Sequence, residues 1–130
     1  MATTAFDFGG SKGKLVLMLS AVGCTVQYTH YSTIIPFADG KYVDGNGYVL
    51  KPFKAEFVIA TNASQDYDAH NVTVKLLKND NTIFTNTFSD KWYVWKTYTG
   101  SCDFAAGDRI SFQAYRDYTY SMGCCVIHKN

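Results

Sequence analysis

AAGDRISFQAY, residues 105–115, sets a Gly-Asp corner directly before a run of alternating side chains. Ile110, Phe112 and Ala114 fall on one side, and Arg109, Ser111, Gln113 and Tyr115 on the other. A period of two marks a strand with one dry face and one wet face. The same pattern recurs outward from this stretch. Val22, Cys24, Val26 and Tyr28 alternate with Gly23, Thr25, Gln27 and Thr29. In KPFKAEFVIAT, 51–61, the spacing predicts Phe53, Ala55, Phe57 and Ile59 facing inward, with Lys54 and Glu56 outward. VTVKLLKNDNTIFTNTF, 72–88, reads as a hairpin: Val72, Val74 and Leu76 form one face, Lys78 to Asn81 the turn, and Ile83 begins the return. KWYVWKTYTG, 91–100, and CCVIHK, 124–129, predict two more strands. No helical period persists anywhere, and turn signals recur about every 8 to 12 residues, the spacing of an all-β sandwich or barrel.

At 130 residues the chain is expected to form one domain with one core. Residues 1–13, MATTAFDFGGSKG, read as an N-terminal arm, and residues 14–130 as a single β-sandwich domain. Ten Tyr and nine Phe fit a strand-dominated fold. A net charge of +1 with interspersed signs gives no basic stripe for nucleic acid. LVLMLSAVGC, 15–24, follows Lys12 and Lys14 and has the apolar character of a secretory signal. It is too short for a bilayer, which takes about 20 apolar residues, and no A-x-A-like site follows it, so a buried strand is expected and membrane insertion is not.

Cys24, Cys102, Cys124 and Cys125 allow three pairings, among which the sequence does not choose. On a strand, vicinal Cys124 and Cys125 point to opposite faces. All four read as small buried thiols of a protein made in a reducing compartment. No C-x₂-C or H-x₃-H cluster is present, so neither a metal nor a cofactor is expected. DGNG, 44–47, offers Asp44 and Asn46 oxygens, but the next alternate position is Tyr48, so a tight turn is the better reading than a calcium loop. His30, His70 and His128 have no accompanying G-x-S-x-G elbow, and no enzyme is expected. NAS at 62 and NVT at 71 match the glycosylation acceptor.

From Gly40 onward a family pattern emerges. Gly40, Tyr42, Gly47, Pro52, Ala55 and Phe57 stand at the spacings of the signature of the C1q/TNF-like family. VTVKLLKND resembles that family's strand and hairpin, with Asp80 where Gly is usual. CDFAAGDRISFQAY and YSMGCCVIHK resemble its last strands, with Met122 in place of an aromatic residue. Val49 and Ala55 depart from its pattern, Asp44 falls one residue late, and no collagen-like stalk is present. The resemblance covers roughly Thr33 to Ile127. It implies a jelly-roll β-sandwich of about ten antiparallel strands that associates as a homotrimer.

Aromatic side chains on both sides of several strands are compatible with such an assembly, since monomers rarely expose large apolar patches. Trp92, Val94 and Tyr98 alternate with Tyr93 and Trp95, and Phe84 adjoins Ile83. The expected subunit boundary therefore comprises Phe84, Trp92, Tyr93, Trp95, Gln113 and Tyr115. QAYRDYTYS, 113–121, sets Tyr115, Tyr118 and Tyr120 around Arg116 and Asp117, the composition of a recognition surface and of a sugar site. These five residues are the expected ligand contacts. The functional expectation is a non-enzymatic, homotrimeric recognition or structural head that binds a host receptor or glycan. Its expected location is a virion, as a phage tail, fibre or capsid-decoration protein. The alternative is a secreted ligand or lectin of the same fold, and a small hydrolase ranks last.

Overall fold

The computed structural model describes residues 13–23, 32–63, 70–90, 95–116 and 121–130. Among the described residues the alternating runs become strands; the run from Cys24 to Tyr28 lies outside them. In chain order these are β1 (Lys14–Gly23), β2 (Ser32–Ala38), β3 (Phe53–Ala63), β4 (His70–Lys78), β5 (Asn81–Asp90), β6 (Trp95–Phe104), β7 (Ile110–Arg116) and β8 (Ser121–Lys129). They form two antiparallel sheets, ordered β2-β1-β8-β3-β6 and β5-β4-β7. Strands distant in sequence lie side by side, β1 against β8 and β4 against β7, so the chain winds as a jelly roll. Eight strands are described rather than about ten. Residues 43–49 instead make isolated bridges, Val43 to Val49 and Tyr48 to Arg109.

The inward rows are those the alternation predicts. Across the larger sheet, Leu17, Ile127 and Phe57 lie in one row and Leu19, Cys125 and Ile59 in the next. From the smaller sheet, Val74, Leu76, Ile110, Phe112 and Ala114 meet them. Phe112 is fully buried, and its ring lies 3.1 Å from where a side chain on Gly123 would begin. The missing side chain of one sheet thus makes room for the largest fully buried side chain of the other, close-packed as interiors are.

Two details depart from a simple period-two reading. A register shift between Leu76 and Leu77 in the β4–β5 pair lets adjacent Ile83 and Phe84 both pack against the core. Moreover, β6 continues through SCDF to Phe104, because β3 pairs with it along its whole length.

The Gly-Asp corner joins the two sheets at one end. Gly107 takes φ +91°, and Asp108 Oδ2 accepts the Ala105 N–H at 2.8 Å. Asp108 Oδ1 accepts the Asn79 side-chain amide at 2.8 Å, while Asn79 Oδ1 accepts the Arg109 N–H at 2.9 Å. The corner is therefore locked to the β4–β5 turn, a contact 29 to 30 residues distant in sequence.

Candidate recognition site

Beside this corner the chain from 44 to 48 folds back on itself. Asp44 Oδ1 accepts the N–H of Asn46 at 2.9 Å and of Tyr48 at 3.0 Å, and the Asp44 carbonyl accepts Gly47 N–H at 3.1 Å. The carboxylate that invited a calcium reading is a turn acceptor. Gly47 sits at φ +88°, where L side chains are rare, and its carbonyl accepts the Ile110 N–H at 2.8 Å. A Cβ there would meet the Ile110 carbonyl oxygen at 2.6 Å, so only glycine lets the turn press against β7. On the other side, the Thr33 hydroxyl of β2 donates to the Phe112 carbonyl at 2.7 Å and accepts the Phe112 N–H at 3.3 Å. The edges of the two sheets are thereby pinned together.

Between these pinned walls lies a cavity of about 430 Å³. Thr33 and Ile35 line it from β2, Asn46 and Tyr48 from the turn, and Arg109 and Ser111 from the start of β7. Tyr48 is 45% exposed. The Arg109 guanidinium is about half exposed and stands 3.8 Å from the Asp80 carboxylate. Among the described residues, none hydrogen-bonds the Asn46 amide, the Tyr48 phenol or the Ser111 hydroxyl. Sequence reasoning passed over this cavity. Its residues come from three separated stretches, which the Tyr48–Arg109 bridge and the Thr33–Phe112 hydrogen bonds unite.

The residues expected to bind ligand lie toward the opposite end of β7. Tyr115 pairs with Thr73 and Arg116 with Val72 through the backbone. Asp117, Tyr118 and Tyr120 are outside the described residues, as are Trp92 and Tyr93 of the expected boundary. Phe84 is half-buried, its ring edge-on to Phe57 at 5.5 Å and tilted against Tyr98 at 5.7 Å. Trp95 is 52% exposed at the start of β6, in register with Asn62. Gln113 is half-buried opposite Lys75 on the outer side of the smaller sheet.

Of the titratable groups, His30 is outside the described residues, and His70 opens β4. His128 lies on β8 in register with Glu56. Burial lowers its pKa, against the opposing pull of Glu56. Cys102, Cys124 and Cys125 are free thiols, and Cys24 is outside the described residues. Burial pushes Cys102 up to about 11 and raises Cys124 and Cys125 as well, so none is poised as a thiolate nucleophile. Asn62 and Asn71, the two sequon asparagines, lie within β3 and β4 rather than in a loop.

No protein-family model matches the chain, and no curated protein matches it. Among solved structures, the globular domain of a zebrafish complement 1qA protein is similar at 11% identity and a TM-score of 0.45. That match covers 88% of this chain and 99% of the other. Pika GITRL is similar at 12% identity and a TM-score of 0.44, over 85% of this chain and 94% of its own.

Proposed function

We propose that the chain is a non-catalytic recognition head that acts as an assembly of its own copies, in the manner of a soluble C1q/TNF-like ligand. The carrying observation is the difference between its two outer faces. On the larger sheet the outward rows hold Met18, Phe37, Val58, Ala60 and Val126; Ile34 is 55% and Phe37 40% exposed, Met18 is half-buried, and Val58, Ala60 and Val126 are already buried within the chain. On the smaller sheet they hold Thr73, Lys75, Thr85, Thr87, Ser111 and Gln113, with buried Leu77 the one large apolar residue among the described side chains there. Exposed Ile34 and Phe37 beside half-buried Met18 make an apolar patch suited to cover by a partner, and a closed symmetric set of copies covers it without leaving an edge. The threefold order and the receptor-binding role follow the family resemblance, and exposed Trp95 lies on the same side of β6 as Thr99, the partner of Val58. Light scattering at micromolar concentration is expected to give three times the chain mass of 14.5 kDa. A monomer would remove the reading.

A second reading, placement in a virion, has one observation in its favour. Three thiols without partners suit a chain that folds in a reducing compartment before joining a particle. Alkylation of the denatured protein without reductant is expected to label Cys102, Cys124 and Cys125. A disulfide at any of them would end this reading and favour secretion.

A further inference from the structure

The cavity between β2, the 44–48 turn and β7 carries an inference that rests on the recognition reading and gives it a ligand. We infer that this cavity holds a neutral sugar unit of a glycan. Its size falls in the range of small-ligand sites, roughly 300–1,000 Å³, at about 430 Å³.

The lining supplies what sugar recognition requires. The ring of half-exposed Tyr48 offers a flat apolar face for the C–H side of a pyranose. The Asn46 amide, with donor and acceptor side by side, matches a vicinal pair of hydroxyls, and the Ser111 hydroxyl and Arg109 guanidinium add further partners. Ile35 gives the cavity an apolar wall beneath these groups.

Charge decides which sugar. Arg109 is the cavity's one cation among the described lining residues, and it is not alone: the Asp80 carboxylate stands 3.8 Å from it, and Asp44 sits within the same turn as Asn46 and Tyr48. A carboxylate or sulfate on the ligand would gain from Arg109 and lose to the two aspartates. A hydroxyl-rich neutral ring meets donors and acceptors without that conflict.

The walls are also set before any ligand arrives. The Asp44 carboxylate clamps the turn, Gly47 seats it on Ile110 through the backbone, and the Thr33 hydroxyl ties β2 to Phe112, which leaves the Asn46, Tyr48 and Ser111 side chains available. Little ordering remains to oppose binding, the condition under which weak polar contacts yield measurable affinity.

The test is a glycan array of immobilised neutral and acidic oligosaccharides, probed with wild type, Tyr48→Ala, Arg109→Met and the pair Tyr118→Ala/Tyr120→Ala. The substituted side chains of Tyr48 and Arg109 are exposed, so both variants are expected to keep the wild-type melting temperature. Binding to neutral glycans is expected, reduced at least about tenfold by Tyr48→Ala and by Arg109→Met; loss in the tyrosine pair with both cavity variants at the wild-type level would place the ligand at the 115–120 stretch instead. Neutral-glycan binding that survives both cavity variants overturns the inference, as does binding confined to acidic glycans or no binding to any glycan. Because assembly is measured separately by light scattering, the cavity can fail while the self-assembling head stands, and the reverse.

Discussion

Two aspartates show how single residues hold this fold at its turns. Asp39 Oδ1 accepts the N–H groups of Lys41, Tyr42 and Val43 at 3.0, 2.9 and 3.2 Å, and its side chain is only 6% exposed. Burial alone would raise its pKa. The three N–H donors and the Lys14 ammonium outweigh burial and leave the carboxyl below its ordinary value. Asp108 is lowered first by the Ala105 N–H and then by the Asn79 amide. Both groups therefore bind protons less readily folded than unfolded. The stability they confer is complete above the ordinary aspartate value of about 3.9 and is lost as pH falls through the lower folded value. Asp39→Ala is expected to cost about 2 kcal/mol at pH 7, the loss of charged hydrogen bonds to otherwise unpaired donors. Urea unfolding of wild type and variant should show that gap narrowing toward pH 2.5. A gap that stays constant across the range would mean the charge of Asp39 contributes nothing.

Among the elements, the β4–β5 hairpin has the sharpest turn. Asn79 and Asp80 take φ 53° and 64°, the left-handed pair of a two-residue type I′ connection. Asn tolerates this conformation and Asp tolerates it less well than Gly, the usual second residue. Asp80→Gly is expected to raise stability by about 0.5–1 kcal/mol, read as a higher urea midpoint. The Asp80–Arg109 contact it removes is exposed and of little weight. A lower midpoint would show that this contact outweighs the turn. The hairpin was legible in the sequence because a turn signal and two flanking alternations are local facts. The bulge that turns both Ile83 and Phe84 toward the core was not, since it depends on which β4 residue each one meets. Gly100 misleads in a similar way, reading as the end of a strand. In the fold it lies inside β6 opposite Phe57, whose ring covers the space where a side chain would be. The cavity was hidden for the same physical reason. Tyr48 and Arg109 become neighbours only when the chain has wound once around the sandwich.

For the whole molecule, the proposed self-assembly raises the question of which surface would meet another copy, and here the expectation from the sequence and the apolar patch of the fold lie in different places. The sequence put Gln113 at the boundary because it sits on the wet side of a strand near tyrosines. In the fold, that side belongs to the polar outer face of the smaller sheet, where Thr73 and Thr87 share a hydrogen bond of 2.9 Å. The larger sheet presents Phe37 in register with Met18, and Val58 in register with Val126. In this row only Phe37 and half-buried Met18 remain open to water, with Ile34 exposed beside them; covering these removes apolar area at about 25 cal/mol per Å², whereas covering the threonine-rich face strips polar groups of their water for little return. Phe37→Glu is therefore expected to dissociate the assembly, with the mass from light scattering falling to one chain while circular dichroism keeps its β signature. Gln113→Glu places the same new charge on the opposite face and is expected to leave the mass unchanged. Were Gln113→Glu to dissociate the copies and Phe37→Glu to leave them together, the threonine-rich face would be the interface and the larger sheet's apolar rows would need another partner.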